Sequence, residues 1–402
     1  MLAGFHPQDD RWLASGLMHE AVTSPMYDVA VVGAGPAGSM AARAAARAGA
    51  RTLIIDRSTF PRYKTCGGGL IGVTLRHLPP ELDLPVQQQI SAASFSLRGR
   101  QERWLEGGDR ILTLISRTEL DAALLACAGR AGAASMLGTP VTGIVERSTH
   151  VELTTGAGPI TARYVIGADG STSRLARHVG AHMRQVDLGL EVEVEAPEGS
   201  RWRHRIHIDW GREPGSYGWV FPKNGTITVG VIHRKGAPRE TRAYLDGFLR
   251  RQGLDKQPQI KSSGHLTRCR ASGSPLSSDR VLLAGDAAGL LEPWTREGIS
   301  YAVRSGAAAG AAAARGALDG LTAFEVGRDY RRAIAPTLLA EMSAGRRALQ
   351  VFERHPALFH QAVTRMPFGW KAFTQVTRGE FTLADVFARR PVPVAACLLR
   401  NL

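Results

Sequence analysis

The chain has 402 residues, 44% hydrophobic and 21% charged, which is enough for about two to three ordinary domains or one composite fold with an insertion. Its 45 glycines against 21 prolines exclude a collagen-like or low-complexity chain. A net charge of +14 admits nucleic acid, an anionic membrane or an anionic cofactor as partners. No zinc-finger spacing, basic heptad region or aromatic-basic RNA signature accompanies that charge, so nucleic acid is not expected.

Cys66, Cys127, Cys269 and Cys397 lie far apart without a CxxC or Cys/His pairing, which points away from a zinc site or a disulfide framework and toward a reducing cytoplasm. Residues 1–25 carry Asp9, Asp10 and Arg11 where an export signal needs its apolar run, and read as a flexible extension. From Tyr27 a continuous apolar run (Val29 to Val32), a glycine turn, an alanine-rich helix (Ser39 to Ala48) and a second apolar run (Thr52 to Ile55) predict a βαβ unit in a parallel sheet covered on both faces. After a glycine-rich loop at Cys66 to Gly69 the pattern is irregular to about Arg110. Ser116 to Arg130 then reads as a helix capped by Ser116 with Glu119 at its third position. Strands are expected at Val141–Glu146, Val151–Thr154 and Ala162–Ile166.

Between about Gln185 and Leu266 the period becomes two. Leu188, Leu190, Val192 and Val194 alternate with polar partners, as do Trp202, His204, Ile206, Ile208 and Trp210, which predicts an antiparallel sheet with His204 as a core histidine. Two further strands, Tyr217–Pro222 and Thr226–Ile232, meet at Lys223-Asn224-Gly225, a hairpin turn. An apolar strand at Val281–Ala284 precedes a long helix opened by Gly298 and ending near Leu318. Its apolar tract Ala307 to Ala314 is too short to span a bilayer. The remainder is helical and basic, with Arg389, Arg390 and Arg400 among its last cations.

Gly33-Ala34-Gly35-Pro36-Ala37-Gly38 is a GxGxxG between strand and helix, with Asp56 at the end of the next strand. Gly33 permits the turn, Gly35 lets backbone approach a pyrophosphate, Gly38 lets the helix pack closely, and Asp56 accepts from ribose hydroxyls. The motif predicts a dinucleotide and does not separate FAD from NAD.

Two later segments bear on that choice. Gly167-Ala168-Asp169-Gly170 with Ser173 and Arg174, and Gly285-Asp286-Ala287-Ala288-Gly289 with Pro293 and Gly298-Ile299, resemble the paired signatures of the p-hydroxybenzoate hydroxylase superfamily of flavoproteins. Lys64-Thr65-Cys66-Gly67-Gly68-Gly69-Leu70 resembles the KxCGGGL segment of its geranylgeranyl reductase family. Tyr217-Gly218-Trp219-Val220-Phe221-Pro222 resembles that family's YxWxFP signature, and Arg117 matches its flavin-contacting arginine. Together these matches span most of residues 26–305.

The resemblance implies an α/β fold: a Rossmann-like FAD-binding domain (26–184 and 267–320), an inserted antiparallel β-sheet substrate domain (185–266) and a helical C-terminal region (321–402). It implies contacts to FAD from Gly33, Gly35, Pro36, Ala37, Gly38, Asp56, Arg57, Cys66, Gly67, Gly69, Arg117, Val141, Asp169, Gly170, Gly285, Asp286, Gly298 and Ile299. Tyr217, Trp219 and Phe221 project to one face of their strand, as an aromatic wall for an apolar ligand or as plain core. Cys66 is either a redox gate or acid beside the flavin, or a packing residue. The sequence departs from the family at Arg296, where a glycine is usual, and at Gly230-Val231-Ile232, where a GxG is usual. Arg296 reads as a cation near the ring or as an exposed salt-bridging side chain.

The implied function is hydride transfer from reduced FAD to isolated C=C bonds of an isoprenoid. The alternative is a flavin-dependent monooxygenase or halogenase acting on an aromatic or natural-product substrate. With no second GxGxxG, the expected reductant is transiently bound NAD(P)H or a ferredoxin-like donor. The basic tail and apolar substrate together suggest a cytoplasmic protein attached peripherally to anionic membrane.

Overall fold

The computed structural model describes residues 26–388, so the extension over 1–25, Cys397 and the cations Arg389, Arg390 and Arg400 lie outside the described residues. The first apolar run forms β1 (Tyr27–Val32), followed by α1 (Pro36–Arg47) and β2 (Thr52–Ile55). β1 has a parallel partner on each side, and Val29 to Val32 are buried, as unbroken apolar patterning requires.

The stretch from Cys66 to Arg110 is not irregular. It holds β3 (Gly69–Leu70), α2 (Gly72–His77), β4 (Val86–Ile90), β5 (Ala92–Leu97) and β6 (Arg100–Glu106). These short elements find several of their partners far along the chain, so local periodicity understates them. β7 (Leu112–Ile115) and α3 (Arg117–Arg130) follow. Ser116 stands at the N-cap of α3, but its side chain makes no capping bond. Glu119 is drawn away, accepting from Gln87 Nε2 at 2.9 Å.

Next come β8 (Ala134–Met136), β9 (Val141–Glu146), β10 (Val151–Thr155), β11 (Gly158–Gly167) and α4 (Arg174–Val179). The period-two region forms β12 (Met183–Glu195), β13 (Arg205–Trp210), β14 (Tyr217–Pro222), β15 (Thr226–Arg234), α5 (Pro238–Gln252) and β16 (Gln259–Arg270). The alternation does not reach back to Trp202 and His204. The chain turns before β13, and His204 is exposed with φ of 58°, its Nδ1 lying 2.9 Å from the Gln89 carbonyl. The core histidine is His207, held between the Ser94 and Ser96 hydroxyls at 2.7 and 3.0 Å.

β17 (Val281–Leu283) returns to the first sheet and leads to α6 (Ile299–Leu318). The helices α7 (Ala323–Ile334), α8 (Ala340–Arg354), α9 (Pro356–Arg365), α10 (Pro367–Thr377) and α11 (Leu383–Ala388) complete the described chain. Among the described residues no helix is long and apolar enough to cross a membrane.

The first sheet runs β8-β2-β1-β11-β10-β9, with β17 parallel to the end of β11, and the second runs β16-β12-β15-β14-β13-β5-β6. A third, small sheet is β3-β7-β4. The second sheet thus extends past residues 185–266 by recruiting β5 and β6, with β5 parallel to β13. α1 and α6 lie side by side: a Cβ on Gly306 or Gly310 would fall 2.1 Å from the Ala37 or Ala41 carbonyl oxygen. The helices run parallel, and α6 begins seven residues before its contact with the first turn of α1, so both N-termini point to the side of the C-terminal ends of β1 and β17, where open α/β sheets place ligands.

Candidate active site

Glycine shapes the turn after β1. Gly33 has φ of 103°, and a Cβ there would lie 2.3 Å from the Ala168 carbonyl oxygen, so the loop after β11 can pass directly above it. A Cβ on Gly38 would fall 1.7 Å from the Gly33 oxygen. Gly35 instead faces open space, where a Cβ would meet only Arg62 Nη2, at 3.4 Å. No side chain caps the N-terminus of α1 and its first turn carries no acid, which leaves a positive helix end free for an anion. At the end of β2, Asp56 accepts the Ala34 N–H at 2.7 Å and the Ser58 N–H at 2.8 Å. Each oxygen keeps a lone pair for a ribose hydroxyl.

The other two segments reach the same place. Asp169 accepts from the Ser173 hydroxyl and from the Arg174 N–H at 2.7 Å, so it secures the start of α4 while facing the cavity, and burial raises its pKa. Gly285 and Gly289 both take positive φ, 55° and 65°, making the tight turn that presents Asp286. Burial pushes the Asp286 carboxyl up, but His265 at 3.5 Å and the nearby Lys64 and Arg117 outweigh it and hold it below its usual value. α6 begins at Gly298, which has no side chain to cap it; the Glu297 carboxyl just before it accepts the Ser300 N–H at 2.7 Å and leaves the other first-turn N–H groups without a side-chain partner.

A single cavity of about 1460 Å³ joins these parts. Single small-molecule sites occupy about 300–1,000 Å³, so the space admits a cofactor and a second ligand together. Gly33, Gly35, Pro36, Ala37, Asp56 and Arg57 line it at one end, with Val141, Asp169 and Gly170 beside them. Cys66, Gly67, Gly69, Arg117, Asp286, Gly298 and Ile299 line its middle. Gly38 and Gly285 are not on the wall. They lie behind it, where Gly38 packs on Gly33 and Gly285 on Ala37.

Tyr217, Trp219 and Phe221 all face the cavity, while the alternate residues Gly218, Val220 and Pro222 are buried on the opposite side, against Phe248 at Gly218. A Cβ on Gly67 would lie 2.8 Å from Phe221 and 3.0 Å from Trp219, so the Cys66 loop rests directly on this aromatic wall. Cys66 Sγ accepts the Gly68 N–H at 3.4 Å, and burial followed by the Arg117 charge lowers the Lys64 pKa. Farther along, Phe359, Phe373 and Leu383 from the C-terminal helices, with Phe381 from the link between α10 and α11, line the same space.

Several residues here had no motif to announce them. Asp121, fully buried on α3, binds Arg117 through two hydrogen bonds of 2.7 and 2.8 Å and reaches Arg62 at 3.3 Å, fixing two cations beside the cavity. His265 on β16 and Glu191 on β12 enter from strands whose alternation reads as ordinary sheet. Burial, with Glu341 and Glu292 nearby, pushes the Glu297 carboxyl up to about 7 against the Ser300 N–H it accepts.

Arg296 is not an exposed salt-bridging residue. Its side chain is 5% exposed, bonds Asp187 at 3.1 Å and lies 5.7 Å from the centre of the Tyr217 ring. Its φ of 55° is the conformation that favours glycine, the residue that the resemblance leads one to expect here.

The cradle suits FAD on its own terms: glycines where side chains would block it, the uncapped end of α1 with the start of α6 beside it, and an acid at the end of β2. The chain belongs to the FAD-binding-domain family, whose model matches residues 26–315. Within it, this is an FAD-dependent oxidoreductase of the geranylgeranyl reductase family. It is 32% identical over 300 residues to the geranylgeranyl diphosphate reductase of Rhodobacter capsulatus, covering 71% of this chain and 75% of that one. It is 31% identical over 314 residues to digeranylgeranylglycerophospholipid reductase 3 of Methanosphaera stadtmanae, covering 72% and 77%. The fold matches the crystal structure of a geranylgeranyl bacteriochlorophyll reductase-like protein from Thermoplasma acidophilum with a TM-score of 0.76 at 22% identity, over 90% of this chain and 99% of that one.

Proposed function

We propose that this protein reduces isolated C=C bonds of an isoprenoid lipid. One observation carries the reading: the cavity that meets the N-termini of α1 and α6 continues, without a break, along an aromatic wall into an apolar space under the C-terminal helices. The reductase names of the relatives support it over the monooxygenase or halogenase alternative. FAD, when bound and reduced, supplies hydride.

The chain's own residues do the rest. Gly33, Gly35, Pro36, Ala37 and the start of α1 take the pyrophosphate, with Arg62 as its cation, and Asp56 with Arg57 takes the adenosine half. Val141, Asp169 and Gly170 border that half, while Asp286, Gly298, Ile299, Arg117 and the loop Cys66–Gly69 hold the flavin half. Gly38 and Gly285 serve by packing. Tyr217, Trp219 and Phe221 exclude water and hold the prenyl chain, since an alkene without an electron-withdrawing group reacts through a cation-like state that water would quench.

The reductant is NAD(P)H or a ferredoxin-like donor. Leu358, Met366 and Phe368 are exposed apolar side chains near Arg365 and Lys371, which supports peripheral attachment to an anionic bilayer; flotation with anionic liposomes should be lost at high salt. Binding that ignores salt removes this part of the reading. The reaction itself is tested by anaerobic incubation of the reduced holoprotein with geranylgeranyl lipids. Products gain the mass of added hydrogen. Unchanged mass across several such lipids, or, in a parallel aerobic incubation, oxygen consumption coupled to substrate oxidation, removes the reductase reading.

A further inference from the structure

Halfway along β12, Glu191 carries a carboxyl that no motif singles out. Cross-strand register sets Glu191 opposite Gly230 and Ser263, and Gly230 opposite Trp219. Directly opposed residues share a face of the sheet, so the carboxyl stands on the side of the aromatic wall with only a glycine between it and the indole. That glycine is required, because a Cβ on Gly230 would lie 2.1 Å from the Trp219 ring.

Glu191 is 1% exposed and lines the cavity. Its Oε1 accepts the Cys66 N–H at 2.9 Å and the Tyr63 hydroxyl at 3.0 Å, while its Oε2 is buried without a partner. An ionised carboxylate with one oxygen buried and unsolvated is costly, whereas a neutral acid presenting an O–H is tolerated. Burial raises the pKa of Glu191 against the opposing pull of the Cys66 N–H, Lys223 and Tyr63, and Glu193 adds to the rise. The titratable groups facing it are Tyr63 and Cys66 on the loop, Glu193 along β12 and Lys223 at the hairpin. The Tyr63 hydroxyl also lies 3.1 Å from Ser263 Oγ, and Tyr63 is 37% exposed, so a hydrogen-bonded path runs from solvent to the buried carboxyl.

We propose that Glu191 is the proton donor to the alkene held against the aromatic wall, resupplied from solvent through Tyr63 and Ser263. The proposal rests on the reductase reading above. The alkene π pair forms the new C–H bond to the Glu191 proton, and the O–H electron pair stays on the carboxylate. The tertiary carbocation left behind takes the hydride supplied by the reduced cofactor, so the alkene gains two electrons and the flavin is oxidised. The new carboxylate already accepts from the Cys66 N–H and the Tyr63 hydroxyl and lies in the field of Lys223, which stabilises the charge as it develops.

The test uses the full-length holoprotein with geranylgeranyl diphosphate as probe. Glu191→Gln keeps the acceptor oxygen for Cys66 and Tyr63 and removes the acid. It should bind FAD with an unchanged visible spectrum, while anaerobic reoxidation of its flavin by the probe slows by about 10²–10⁴-fold, the usual share of a general acid. In infrared spectra at neutral pH, the wild-type protein should show a protonated-carboxyl band that E191Q lacks. Tyr63→Phe, which leaves the carboxyl in place, should slow steady turnover and change its solvent isotope effect.

Reoxidation of E191Q at the wild-type rate, or infrared spectra that do not differ, overturns the proposal and leaves the reductase reading intact. If E191Q fails to fold, a Y63F protein with unaltered turnover and isotope effect overturns it instead. A wild-type protein that reduces no such lipid overturns both.

Discussion

Replacing Arg296 with glycine sets two effects of opposite sign against each other. Arg296 holds φ of 55°, a left-handed conformation that costs a non-glycine residue about 1–2 kcal/mol. Glycine removes that strain. It also removes the guanidinium from Asp187, whose side chain is 3% exposed, and an uncompensated buried charge costs about 3–5 kcal/mol. Gln185 Nε2, 2.7 Å from the same carboxylate, softens the loss without cancelling the charge. The stranded aspartate wins, so R296G should be less stable than wild type by about 2 kcal/mol. The double variant R296G/D187N carries neither strain nor stranded charge and should recover most of that loss. Urea unfolding followed by tryptophan fluorescence reads the difference, since Trp294 and Trp210 stack 6.2 Å apart close to this loop. A single variant as stable as wild type, or a double variant no better than the single, would refute the reasoning.

Two further outcomes follow from the same packing. In G230A the Trp219 indole must retreat from 2.1 Å to ordinary contact, and the cavity it lines is open to it, so KM for the prenyl substrate should rise about tenfold while FAD affinity holds. An unchanged KM would mean the indole does not border the substrate. His207 is pushed down to about 3 by burial and by Arg201 and Arg251. The unfolded chain takes up that proton below 6.5 and the folded chain refuses it, so stability falls as pH drops from 6.5 toward about 3. The denaturant midpoint should therefore decline less steeply in H207Q than in wild type over that window. Parallel slopes would contradict the assignment.

The cofactor end of the site was readable because each of its constraints is local. A turn that needs φ of 103° at Gly33, or a carbonyl that excludes a Cβ at Gly38, writes itself into the identity of one residue. The aromatic stripe was readable for the same reason, since period two within one strand fixes a face. What escaped depends on distant partners. β5 and β6 join the second sheet through pairing of Ala92–Leu97 with Arg205–Trp210, which no window of sequence contains. Glu191 looks like a solvent-facing member of an alternating strand until the Cys66 loop covers it. His204 misled in the opposite direction: the alternation looked unbroken through a turn, and the buried histidine proved to be the one in the next register. At Arg296 the departure from glycine was visible, but its burial and its partner Asp187 were not.

Along one seam the contact between α1 and α6 is made by backbone, with the carbonyls of Ala37 and Ala41 resting where Gly306 and Gly310 have no side chains. At that seam the helices cannot be shimmed apart by repacking, because no side chain lies between the two backbones. The gap between the two halves of the dinucleotide seat is therefore gauged by peptide thickness, like a caliper with fixed jaws. The strands and C-terminal helices around the far end of the cavity are free to diversify without disturbing that gauge.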